Sequence, residues 1–288
     1  MEKLINKYAN EITEKLEGNL DTLILVGSFA RGEGIEGVSD IEFWAVVKDL
    51  GSAKKPDLGR DVSLGFTTRR HLKRLKPYIY TVEVRKFGKV LYGDKNILEL
   101  IPDYSYDSIF RVDGFILLNN RIVEQLILLS RIEGDQSVSQ YEFNKGYVQL
   151  INVLLVLHKK YKSLYPEKIR EFCKIHKDNN TGFLNKVEEA FASIGKQIAS
   201  GATHSRNDGI GKKEALSRWQ ELRVYFKKVW AEELGILDKV RYWLNLLSLG
   251  KISQFLIYRK AAGLYFSDKY SDKKQRETII RQWKTRIK

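Results

Sequence analysis

Near residue 105 the hydrophobic pattern of this 288-residue chain changes period, and that change sets what it can fold into. Upstream, short β-branched and apolar runs alternate with glycines and brief helical stretches. Downstream, apolar residues recur at helical spacing over long segments. The pattern predicts an α/β region followed by an all-α region. The expected domains are an N-terminal α/β domain over residues 1–104, a small mixed sheet of four or five strands with helices on one face, and a helical bundle over residues 105–288. A cleft between the two is the expected place for a substrate.

In the first region, Leu4, Ile5, Tyr8, Ile12 and Leu16 give residues 2–18 the spacing of an amphipathic helix. Leu23-Ile24-Leu25-Val26 reads as a short buried strand. Asp40 to Val47 reads as a second, with Ile41, Phe43 and Ala45 on one face and Asp40 and Glu42 on the other. Residues 61–66 alternate again, and Thr67–Lys76 reads as a helix stopped by Pro77. Residues 78–86 fit helix or strand, and Val90-Leu91-Tyr92 is a short strand closed by Gly93-Asp94. In the second region helices are expected over 107–132 and 139–162, the latter apolar on most sides and hence central. Further helices are expected near 166–176, 181–199, 213–234, 236–249, 251–266 and 271–287, with a polar surface loop over 200–212.

Composition narrows the function classes. One cysteine, Cys173, excludes an internal disulfide framework, and with four scattered histidines it argues against an all-protein zinc site. No apolar run reaches 18 residues, and the first 20 residues are charged throughout, so the expectation is a cytoplasmic protein with no membrane partner. Net charge is +14, and residues 251–288, with 11 basic and 3 acidic residues, supply +8 of it. A basic end of this kind favours a polyanion, and Lys273, Lys274 and Arg276 are the candidate contacts, with Arg259, Lys260, Arg281, Lys284 and Arg286 beside them. The plainer alternative is a solvated helix surface.

The chemistry concentrates in residues 23–47, LILVGSFARGEGIEGVSDIEFWAVV. Gly27 lets backbone approach a ligand closely, Ser28 adds a hydroxyl donor, and a helix starting there aims free N–H groups at a phosphate. Arg31, one turn on, is a candidate triphosphate contact or a surface arginine. Asp40 and Glu42, two apart on a strand, project from one face. Side by side they repel unless a proton or divalent cation lies between them. Hard oxygen ligands suit Mg²⁺ or Mn²⁺, with substrate phosphates completing the shell.

Val26-Gly27-Ser28, eleven intervening residues, then Asp40-Ile41-Glu42 resembles the signature of the nucleotidyltransferase superfamily that includes DNA polymerase beta, kanamycin nucleotidyltransferase and the small prokaryotic nucleotidyltransferases. Ser28-Phe29-Ala30-Arg31-Gly32, Ser39 and Gly88-Lys89-Val90-Leu91-Tyr92-Gly93-Asp94 also look like the prokaryotic members. The resemblance covers about residues 20–95, and Glu42 departs from it where Asp is commoner. It implies an NTP held at Gly27 and Ser28, a metal on Asp40, Glu42 and a third acid, and transfer of NMP to an acceptor hydroxyl with release of pyrophosphate. Asp61 and Glu83 compete for the third acid. Asp61 is favoured because it opens an alternating strand and shares the polar face with Ser63. The acceptor is a small molecule, a protein hydroxyl or an RNA 3′ end, the basic C-terminal region raising RNA. The alternative is a non-catalytic nucleotide- or RNA-binding regulatory protein that retains the fold. Outside the motif, His71 reads as part of a solvated basic helix face, His158 as structural and Cys173 as an inert thiol. Lys212-Lys213 after Gly211 lacks the spacing of a phosphate loop.

Overall fold

The computed structural model describes residues 1–37, 39–59, 61–175, 181–200, 209–235, 239–244 and 252–286. Two compact units form, one gathering Met1–Ile109 and the other most of the chain from Phe110 onward.

In the first unit, β1 (Leu20–Val26), β2 (Ile41–Val47), β3 (Val62–Thr67) and β4 (Lys89–Tyr92) make one mixed sheet in the order β3-β2-β1-β4. β1 is antiparallel to β2 and β4, whereas β2 and β3 run parallel. Helix α1 (Glu2–Lys15) contributes Ala9 and Ile12 to a cluster with Leu23, Leu25, Ile41, Phe43, Ala45, Val62 and Leu64. Helix α2 (Gly27–Arg31) adds Phe29 and Ala30 to that same cluster. The intervening residues of the central strands, Ile24, Val26 and Val46, form a second cluster with Leu72, Val84, Ile97 and Ile101. These come from α3 (Arg69–Leu72), α4 (Ile79–Phe87) and the turn that follows β4.

Both faces of the sheet are therefore covered, not one as expected. The physical reason is the unbroken apolar run of β1. Residues of β1 that alternate between faces are apolar on each, and each needs a partner layer. Burying each such Leu, Ile or Val contributes about 1.5–3 kcal/mol. Residues 78–86, open between helix and strand in the sequence, are the helix α4. It presents Thr81, Val82 and Val84 to the interior, with Pro77 buried just before it. The helix expected over 67–76 shrinks to the single turn of α3. The Thr68 hydroxyl caps that turn by accepting from the His71 N–H at 3.2 Å.

The second unit is helical: α5 (Arg111–Glu133), α6 (Gln140–Leu157), α7 (Tyr165–Ile175), α8 (Thr181–Ser200, in this unit as far as Ile194) and α9 (Lys212–Lys228), which runs into a π-helical turn at Val229–Glu233. After a helical stretch at 239–244 come α10 (Ile252–Phe266) and α11 (Lys273–Arg286). The α6 helix is buried on most sides, as its composition demands, and its start is closed by Glu142, which accepts from the Ser139 N–H at 3.0 Å. The Trp219 indole, fully buried on α9, donates to the Gln125 carbonyl at 2.8 Å. Parts of the helix expected over 236–249 and of the loop over 200–212 lie outside the described residues. No helix among the described residues is long and apolar enough to cross a membrane.

The basic C-terminal region needs one correction. Arg276 is not on a basic surface. Its side chain is fully buried, donating to the Ser130 hydroxyl at 2.8 Å and the Tyr270 carbonyl at 2.8 Å and pairing with Glu133. A guanidinium out of water demands such partners, so this residue is spent on holding α11 to α5. Lys273, Lys274, Arg281 and Lys284 of α11, and Arg259 and Lys260 of α10, are exposed. The Arg286 side chain lies outside what is described.

Candidate active site

The motif residues converge on one edge of the sheet because β1 ends where β2 and β3 begin. Val26, the last residue of β1, pairs with Glu42, the second of β2. Gly27 follows with φ +71°, a left-handed value that favours glycine, and turns the chain into α2. The Glu42 carboxylate lies over Gly27: a Cβ at that position would come within 1.8 Å of the Glu42 Oε2. The Gly-Ser turn and the second acid of Asp-x-Glu, far apart in the chain, thus share one spot.

Asp40 and Asp61 are both exposed, each standing immediately before its strand. Ile41 pairs with Val62 and Glu42 with Ser63 in the parallel ladder, and the Ile41 N–H donates to the Asp61 carbonyl at 2.8 Å. Val62 and Leu64 join the same apolar cluster as Ile41 and Phe43, so the alternation puts Asp61 and Ser63 on the face that carries Asp40 and Glu42. The donor set at this edge is oxygen only, the chemistry that Mg²⁺ or Mn²⁺ takes. Among the described residues no three His, Cys, Asp or Glu side chains close on a common point for a metal ion. The fit is one of donor type and strand placement.

Glu83 and Arg31 have found each other. Arg31, the last residue of α2, donates from Nη1 to Glu83 on α4 at 2.7 Å and from Nε to Glu33 at 3.1 Å. All three side chains are largely buried, at 10%, 16% and 9% exposure.

Two residues without a role in the sequence motif border the carboxylates. Trp44 follows Glu42 on the same face, and its indole lies against Gly65 of β3, where a Cβ would stand 2.8 Å from the ring. The Tyr80 ring meets Trp44 edge to face at 4.4 Å. Tyr80 as a whole is 40% exposed, but desolvation of its hydroxyl, and then the charge of Glu42, push that hydroxyl above its ordinary range. The sequence signal for Trp44 is its i+2 spacing from Glu42; Tyr80 has none, because its segment fits helix or strand.

The remaining candidates sit elsewhere. His158 pairs with Glu233 at 2.9 Å, joining the end of α6 to the π-helical turn. Burial, and next the neighbouring Glu188, push the Cys173 thiol up, away from the thiolate that reactivity needs. Lys212 pairs with Asp135 at 2.8 Å.

No protein-family model and no curated protein matches the chain. Among solved structures it is similar to the spectinomycin adenyltransferase AAD(9) from Enterococcus faecialis, determined with ATP and spectinomycin. Identity is 14% and the TM-score 0.40, over 76% of this chain and 99% of that one. At that level of likeness no residue role passes between the two.

Proposed function

We propose that this chain is a metal-dependent nucleotidyltransferase that moves NMP from an NTP to an acceptor hydroxyl. The observation that carries the reading is the meeting of Gly27 and the Glu42 carboxylate. A turn suited to phosphate and a metal-competent acid, far apart in the chain, occupy one place. In this reading the triphosphate lies along Gly27 and Ser28, and Asp40, Glu42 and Asp61 hold Mg²⁺ or Mn²⁺. Held by those residues, the ion would supply neutralisation of the charge that builds up during transfer. The acceptor oxygen bonds to the α-phosphorus as the bond to the bridging oxygen of pyrophosphate breaks. Asp61, just before β3, takes the acceptor proton and returns it to water.

The test is incubation with each labelled NTP and Mg²⁺ over small-molecule, protein and RNA acceptors, reading label transfer and pyrophosphate release. Transfer that EDTA abolishes is the expected result. Absence of both transfer and Mg²⁺-dependent NTP binding would sink the reading. Within it, Asp61→Asn should lower kcat by about 10²-fold or more, the usual scale for loss of a general base. An Asp61→Asn protein with unchanged kcat removes Asp61 from the mechanism.

An RNA acceptor is favoured by the exposed cations of α10 and α11, among them Lys273 at 77% exposure. Binding of a single-stranded oligonucleotide should weaken steeply with salt. Replacing Lys273 and Lys274 by Gln should reduce the slope of log K against log[salt] by about 1.4, that is about 0.7 for each phosphate no longer neutralised. An unaltered slope makes these lysines a solvated face.

A further inference from the structure

We propose that Glu83 is a positioning residue: through Arg31 it ties the short helix bearing Gly27 and Ser28 to α4, and so holds the phosphate turn in shape. The proposal rests on the reading of that turn as the nucleotide site. Its physical basis is the length of α2. Five residues form barely one helical turn, and a helix that short has no stability of its own in water. It also begins at a left-handed Gly27 and ends against a left-handed Gly32, so neither neighbour extends it. Its shape must come from tertiary contacts.

Phe29 and Ala30 anchor one side of α2 in the core beneath the sheet. Arg31 anchors the other. Its guanidinium contacts two carboxylates of different origin: Glu33, two residues on in the same segment, and Glu83, 52 residues away on α4. Glu33 moves with α2, so of the two only Glu83 fixes the helix to a separate element. The pair is mostly out of water, where a charge-assisted hydrogen bond is strong and the loss of one charged acceptor is costly. Glu83 then has a role other than the metal ligand that its sequence position suggests.

The two roles separate experimentally. Amide hydrogen exchange over residues 28–32, steady-state kinetics and Mg²⁺ titration are measured for the full chain, Glu83→Gln and Glu83→Asp. The expected result for Glu83→Gln is exchange at 28–32 faster by about tenfold, reporting local opening. The KM for NTP should rise by about tenfold with kcat and the Mg²⁺ half-saturation within about twofold. Glu83→Asp keeps the carboxylate and should recover most of both effects. Should Glu83→Gln fail to fold, Glu83→Asp alone must still show the same changes, reduced in size.

Unchanged exchange at 28–32 overturns the proposal. So does a collapse of kcat with a raised Mg²⁺ requirement, the mark of a missing metal ligand. If the native chain transfers no nucleotide, the functional reading fails while the exchange data still judge the Arg31–Glu83 tie.

Discussion

Asp40→Asn should reduce nucleotidyl transfer by about 10³-fold, the upper range for removing one preorganised charged group from an active site. The melting temperature should move by no more than about 2 °C, as for a surface substitution in a chain of this size. The two expectations follow from one observation: Asp40 is exposed at the mouth of β2 and packs against nothing in the core, while Ile41 beside it is buried. The substitution keeps the shape and removes the charge. Kinetics beside a thermal melt check it, and an Asp40→Asn protein with native transfer rates would remove the acids from the chemistry.

Gly27→Ala should be nearly as damaging, and for a reason that reaches the fold as well. Alanine at φ +71° costs about 1–2 kcal/mol on conformational grounds alone. The new methyl also falls where the Glu42 carboxylate now lies, so either the turn or the acid must move. The expected outcome is loss of transfer by about 10²-fold and destabilisation by about 2–3 kcal/mol. Glu42→Asp draws the carboxylate back by one methylene. Combined with Gly27→Ala, it should recover part of the lost stability, leaving a coupling of about 1 kcal/mol in a double-mutant cycle. Strict additivity of the two substitutions would mean that Glu42 does not rest on Gly27 in solution.

Much of this architecture is legible in the chain itself. The alternation of residues 41–46 and 62–66 declares which side chains face the core, and the parallel ladder follows that alternation. The run Leu23–Val26 carries a further signal: four consecutive apolar residues in a strand mean burial on both faces, and the second helical layer is implicit there. Residues 79–87 are not decidable locally. Thr81, Val82 and Val84 prefer strands, but the residues they pack against are distant in the chain, and tertiary contact overrides propensity.

Arg276 shows a subtler failure. Read as one of a run of cations it resembles Lys273, yet it lies three and seven residues before Ile279 and Trp283, on the buried stripe of α11. The spacing distinguishes it where the composition does not. The tie between Arg31 and Glu83 has no such local mark. A pair 52 residues apart on two short helices becomes visible only when the chain is folded.

The parallel pairing of β2 and β3 has a consequence for how the candidate site tolerates change. A hairpin locks register through its turn, so altering the turn shifts every residue beyond it. Here the connection over residues 48–61 sets no register; the ladder from Ile41 with Val62 to Val46 with Thr67 and the apolar contacts beneath it do. That connection is anchored at two places, Leu58 in the apolar cluster beneath the sheet and Asp49 and Ser52 on the Asn19 amide at 2.9 and 3.1 Å, so changes of length fit between those anchors while Asp40 and Asp61 stay abreast.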